Sequence, residues 1–313
     1  MKRFFRLVSI IALAVTATNN ASAGTGADEQ AGAGTLYINA PRFARPIVEQ
    51  WIEEYKAVAP DVTFAIAGSA EEKEASRLSV EPDGDAADTG IGMRTVFFAG
   101  YAVLPVAAKG SEAARLLGKQ HLNQKRLKSL FFVNDEYEPA AKKDVNGDLV
   151  VYSGSSDLSV SHRFAAHFGK DAASFKGKRI VGDDLFLLAA IGKDSKGVTV
   201  NTLPNIYDLQ TRRLKDNLSL VALDVDKNTR TVLSDDATLD ELITVLETDR
   251  DSGIPVGRLG ITFNDADSRI TQFVVWILAA GCDYNHRYGL LSLDDKTMAR
   301  QAEALSVNYT AQK

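Results

Sequence analysis

The sequence predicts an α/β fold with mostly parallel strands. Short β-rich runs alternate with amphipathic helical stretches from Thr35 onward. Ser and Thr stand at helix starts, and Gly or Pro marks several helix ends. No fixed-period repeat points to a solenoid or propeller.

The elements run in order along the chain. TLYINA, beginning at Thr35, is β-rich, and Pro46 then sits where a first helical turn tolerates it. Ile47, Val48, Trp51, Ile52 and Tyr55 form one helical stripe that Pro60 closes. VTFAIAG is the next strand, and GSAEEKEASRL a helix with a Ser cap and acidic residues in its first turn. TVFFAGYAVLPVAA is an apolar run that Pro105 divides; GSEAARLLG and NQKRLKSLFF are helical. Asn146-Gly147 signals a tight turn leading into LVVYSG, and SVSHRFAAHFG is a short helix closed by Gly169. VGDDLFLLAAIGKD reads as a helix, and GVTVNTL and LSLVALDVD as strands. TLDELITVLETDRD opens with Thr238, Asp240 and Glu241, which suit a helix N-terminus. IPVGRLGITF returns to strand, RITQFVVWILAAG is an apolar helix stopped at Gly281, and KTMARQAEAL is a last helix.

Composition narrows the function. The 313 residues are 45% hydrophobic and 25% charged, a profile that sets aside disordered and fibrous chains. A net charge of −5 argues against a nucleic-acid partner, which calls for a basic excess. Cys282 is the sole cysteine, so neither an internal disulfide framework nor a Cys-rich zinc site is expected.

Residues 1–23 read as an export signal. A basic start (Lys2, Arg3, Arg6) precedes the apolar run LVSIIALAVTA and the cleavage pattern Ala21-Ser22-Ala23. The run is shorter than the roughly 20 residues that span a bilayer, so no membrane span is expected after cleavage. No cysteine follows it, so a lipoprotein anchor is not indicated. Losing three cations takes the charge from −5 to −8, and the expected location is periplasmic or secreted. Residues 24–34 read as a flexible leader.

Several strings resemble the type 2 periplasmic binding proteins, in particular the phosphate-binding component of bacterial ABC phosphate importers. They are LYINAPRFARPIVEQWIEEY, GYAVLPVAAKGS, GKRIVGDDLFLLAAIGKDSKGVTVNTLPNIYDL and QFVVWILAAGCDYNHRYGLLSLD. The resemblance implies a two-lobed α/β fold with a ligand cleft between lobes. Residues 34–105 plus 200–313 would form the first lobe and 106–199 the second. It also implies capture of a small oxyanion, phosphate first, with an ABC permease complex as partner and no enzymatic activity. Exposed amides at helix starts, backed by the macrodipole, would hold an anion even in an acidic protein.

Carried onto this chain, the resemblance gives a set of contacts. Ala40, Arg42 and Phe43 lie in the loop after the first strand, where Arg42 can add a charge-assisted fork. Gly68 and Ser69 precede a helix, Ser69 being both a cap and an anion donor. Arg94 stands where phosphate binders carry an acidic acceptor; a guanidinium suits sulfate, phosphate or carboxylate but cannot accept a hydrogen from a protonated oxyanion. Ser153, Ser159 and Ser161 belong to a hydroxyl-rich run before a helix, without the Arg and the Ser-Gly-Thr triplet of the family.

Other chemistry finds less support. Asp144, Asn146 and Asp148, and likewise Asp224, Asp226 and Asn228, alternate as in calcium loops, but turn chemistry explains both sets. His162 and His167 are five residues apart and face different sides of a helix, so no metal or cofactor is expected. No Gly-x-Ser-x-Gly elbow, Rossmann glycine pattern or P-loop occurs intact. Cys282 reads as a packing residue, and Phe164, Phe273, Trp276, Phe131 and Phe132 as core. Two further readings stay open: a periplasmic sensor or partner module on a binding-like fold that no longer transports, and an exported enzyme on the same scaffold.

Overall fold

The β-rich run after Thr35 forms β1 (Leu36–Asn39), and the stripe behind it forms α1 (Arg45–Tyr55). Pro46 falls in the first turn of α1, where its missing N–H costs no helical bond. Ile47, Val48, Trp51 and Tyr55 are buried, and Ile52 is half-buried at the edge of the stripe. The computed structural model describes residues 34–82, 93–133, 148–156, 158–249 and 253–311, with side chains as far as 305. The export signal, nearly all of the leader and the Asn146-Gly147 turn lie outside the described residues.

β1 pairs in parallel with β2 (Phe64–Ile66) on one side and β3 (Leu78–Pro82) on the other. At the far end of the sheet, β5 (Val150–Gly154) pairs in parallel with β6 (Lys178–Ile180) and β7 (Gly197–Thr202). Between these ends the expectation of mostly parallel strands fails. β4 (Met93–Ala108) runs antiparallel to β9 (Val256–Asn264), to β7 and to β8 (Leu218–Leu220), while β9 is also antiparallel to β3. A crossover helix such as α1, between β1 and β2, permits parallel pairing; the strands at the centre of the sheet meet head to tail instead. The path through the sheet is β2-β1-β3-β9-β4-β7-β5-β6, with β8 beside β4.

β4 is one strand of 16 residues, so Pro105 does not divide it. The Pro105 carbonyl accepts from the Val221 N–H at 3.0 Å, just beyond β8. The donor that proline lacks therefore falls beside the end of a short strand, where proline is tolerated. β3 went unforeseen because α2 (Ala70–Glu74) is only five residues long; Leu78 and Val80 alternate with half-buried neighbours just beyond it. LSLVALDVD is strand only over β8, and Asp226 caps a further helix, α8 (Lys227–Val232), by accepting the Asn228 and Thr229 N–H groups.

Helices α3 (Glu112–Leu117), α4 (Gln124–Phe131), α5 (Val160–His167), α6 (Leu185–Ile191), α9 (Leu239–Thr248), α10 (Ser268–Ala279) and α11 (Asp295–Ala311) fall where the periodicity placed them. Thr238 and Glu241 form a reciprocal capping box at the start of α9. A four-residue helix, α7 (Leu203–Ile206), comes directly after β7.

Two aromatic clusters anchor the core. Tyr55 and Phe64 meet Phe273 with ring centroids 4.8 and 4.2 Å away. Phe131, Phe132, Phe164, Phe168 and Phe175 interlock in the second, with Phe131 and Phe164 4.8 Å apart. Cys282 packs against the core, and burial pushes its thiol up to about 12. Among the described residues no helix is long and apolar enough to cross a membrane.

Candidate functional site

Three loops leave the carboxyl ends of parallel strands and converge, contributing Asn39 to Phe43 after β1, Ser156, Leu158 and Ser159 after β5, and Val181 to Asp184 after β6. Such strand ends are where open α/β sheets form ligand crevices. Here they enclose a cavity of about 470 Å³, completed by Arg45, Lys73 of α2, Val80 and Asn205.

The lining is divided by charge. Arg42, Arg45 and Lys73 come from the β1–α1 loop, the start of α1 and α2. Arg42 and Lys73 are exposed, while Arg45 is half-buried and its Nε donates to the Ala40 carbonyl at 3.4 Å. Asp183 and Asp184 come from the β6–α6 loop. Asp183 Oδ1 accepts the Leu185 N–H at 2.8 Å and so starts α6. Leu158 and Val181 add apolar surface, 46% and 83% exposed.

Sequence reasoning missed Arg45, Lys73, Asp183 and Asn205 of this lining, and also Asp184. Asp184 stands immediately before α6 without capping it; its carboxylate crosses to α5 instead. Ser159 Oγ donates to Asp184 Oδ1 at 2.5 Å, and the Val160 N–H donates to Oδ2 at 3.1 Å. Asn201 Nδ2 holds the Asp184 carbonyl at 2.8 Å. Gly154 permits the approach, because a Cβ there would lie 2.0 Å from Ser159 Oγ. The pair Asp183-Asp184 before an apolar helix reads locally as two helix-start acids, and only Asp183 plays that part.

The structure brings four of the nine expected contact residues to this cavity: Ala40, Arg42, Phe43 and Ser159. Ser159 caps α5, accepting from the Ser161 N–H at 3.3 Å. Ser153 and Ser161 are fully buried, and Ser161 Oγ accepts the Gly154 N–H at 2.9 Å. Gly68 and Ser69 lie outside the lining, their amides donating to Glu72 Oε2 at 2.7 and 2.9 Å. Those backbone bonds hold the Glu72 carboxyl below the usual carboxylate range. Arg94 also lies outside it: the guanidinium is 3.9 Å from Asp265 and donates to the Ala304 carbonyl at 3.4 Å. Internal carboxylates thus take the Gly68 and Ser69 amides at the start of α2 and the Val160 amide at the start of α5.

Burial pushes the Asp184 carboxyl above its ordinary value; the Asp183 charge adds to the rise, while the Ser159 and Val160 bonds and His162 oppose it. The folded chain therefore holds this proton more tightly than the unfolded chain does. Its contribution is fully present below the ordinary value of 3.8 and is lost as pH rises through the folded value. Asp184→Asn is expected to gain stability relative to the parent as pH rises from below 3.8 to neutrality, read by urea denaturation at each pH. A difference between the two proteins that does not change with pH would overturn the assignment.

A second cavity of about 290 Å³ includes Glu247 and Ser292 in its lining. His286 Nε2 lies 2.8 Å from Glu247 Oε1 and 3.0 Å from Ser292 Oγ. Both partners face the same ring nitrogen, whereas a hydrolytic relay needs the acid on one nitrogen and the nucleophile on the other. Among the described residues no three His, Cys, Asp or Glu side chains group as metal ligands.

No protein-family model and no curated protein matches this chain. Solved structures do. An ABC-type phosphate transport receptor from Vibrio cholerae superposes with a TM-score of 0.53 at 10% identity, over 83% of this chain and 100% of its own. A putative phosphate ABC transporter substrate-binding protein with bound phosphate from Clostridium perfringens gives 0.53 at 16% identity, over 83% and 100%. The CcmR regulatory domain of Synechocystis PCC6803, in complex with 2-PG, gives 0.46 at 10%, over 79% and 97%. The chain has the two-lobed α/β fold of periplasmic binding proteins.

Proposed function

We propose that this protein is an exported solute-binding protein that captures a small oxyanion, phosphate the first to test, and delivers it to an ABC permease complex. The observation that carries this reading is the convergence of Arg42, Arg45 and Lys73 on one cavity at the strand ends of a chain whose net charge is −5. Guanidinium forks suit oxyanions, and a local cationic wall overcomes an opposing global field. Residues 34–105 plus 200–313 and residues 106–199 would be the lobes that close on the ligand, shifting the population toward the closed form. The pattern in residues 1–23 supports export to the periplasm or beyond. The work is binding and delivery, without bond-making.

Phosphate, sulfate, molybdate and simple carboxylates, each added to the purified protein in a thermal melt, test the reading. At about 100 times Kd the right ligand stabilises by about 2.7 kcal/mol. Arg94→Ala is expected to respond as the parent does. A flat response to every anion, those that also carry an ammonium group included, would overturn the proposal. It would favour the second reading, a sensor or partner module, whose specific support is that Glu72 and Asp184 already occupy the Gly68, Ser69 and Val160 amides.

A further inference from the structure

We infer that the occupant of the 470 Å³ cavity is an organic anion carrying an ammonium group, rather than a bare inorganic oxyanion. This rests on the cavity being the ligand site, as proposed above, and it names the class of molecule that fits both walls.

One wall offers the cations Arg42, Arg45 and Lys73; the other offers the carboxyl groups of Asp183 and Asp184. A small anion complements only the first wall and leaves the second facing like charge. The second wall is also poor in the donors an anion would want, since Ser159 Oγ and the Val160 N–H are spent on Asp184. Asp183 gives Oδ1 to the Leu185 N–H and keeps further lone pairs for a donor. An ammonium brings three N–H donors and a positive charge to that wall, and no hydrogen-bond acceptor. It also offsets the burial that holds the Asp184 carboxyl above its ordinary value.

Size and polarity point the same way. A cavity of about 470 Å³ lies within the roughly 300–1,000 Å³ range of organic ligand sites. Leu158 and Val181 present exposed apolar surface at its lining, which a carbon skeleton covers and an inorganic ion does not. The anionic group can be a phosphate ester or a carboxylate, because the cationic wall accepts either.

Titration calorimetry of the full chain against inorganic phosphate and two matched pairs tests this: O-phosphoethanolamine against ethyl phosphate, and β-alanine against propionate. In at least one pair the amine-bearing member is expected to bind about tenfold tighter or better. Asp183→Asn is expected to shrink that gap below about threefold, the amine-bearing member losing affinity while the amine-free member keeps or gains it as the like charge is removed. Equal affinity within both pairs, with ethyl phosphate or inorganic phosphate still binding, overturns this inference and leaves the oxyanion site standing. No heat with any of the five compounds overturns both. Should Asp183→Asn melt below the parent, the pair comparison on the parent decides alone.

Discussion

Replacing Arg42 and Arg45 together by Ala is expected to weaken anion binding about 100-fold or more, enough to erase the thermal shift that the parent protein gives with its ligand. Each guanidinium removed from an oxyanion weakens binding about tenfold, and the two effects multiply. Arg42 is exposed and Arg45 half-buried, and the Arg45 bond to the Ala40 carbonyl is long at 3.4 Å, so the melting temperature without ligand is expected to change little. That separates the result from loss of fold. Lys73→Ala leaves both forks in place and is expected to cost less, since an ammonium acts as a point charge. Affinity of the double variant within threefold of the parent would remove the cationic wall from the binding site.

Trp51→Ala is expected to cost about 3–5 kcal/mol of stability, by the precedent of large aromatic residues truncated in cores. Trp51 is 1% exposed, and its ring meets Phe98 edge-on at 4.7 Å. Its Nε1 donates to the Gly281 carbonyl at 2.8 Å, bonding the first helix to the turn beyond α10 across 230 residues of sequence. Trp51→Phe keeps most of the packing but strands that carbonyl, at a cost of about 1–3 kcal/mol. Urea denaturation followed by circular dichroism separates the two contributions. A loss below about 1 kcal/mol for Trp51→Ala would mean that the contact between α1 and the Gly281 turn holds little of the fold.

Local chemistry was legible in the sequence and long-range chemistry was not. The stripe from Ile47 to Tyr55, the Ser69 cap and the helix start at Thr238 each depend on residues within a few helical turns, and each formed as read. The loop carrying Ala40, Arg42 and Phe43 was legible because the strand before it and the helix after it are both marked by their own residues. Asp184 was not, because its partner Ser159 is 25 residues away and comes from a different strand end. The sequence marks Ser69 as a helix start but cannot show that Glu72 turns back onto the amides of Gly68 and Ser69. Pro105 misled for a related reason: whether a proline breaks a strand depends on which neighbour faces its nitrogen, and that neighbour lies just past β8, more than a hundred residues onward.

The 16-residue strand β4 has a bearing on how the chain is made. One edge of β4 rests on β9, with Val96 opposite Ile261, and the other rests on β7 and β8. On a ribosome, β4 emerges with no partner for the first of those edges, and it waits until Val256–Asn264 has been synthesised. Contacts so far apart in sequence make folding slow. Until then the β4 residues Val96 to Ala102, buried in the folded chain, lack their β9 partner, and an apolar edge left open in this way is prone to aggregate.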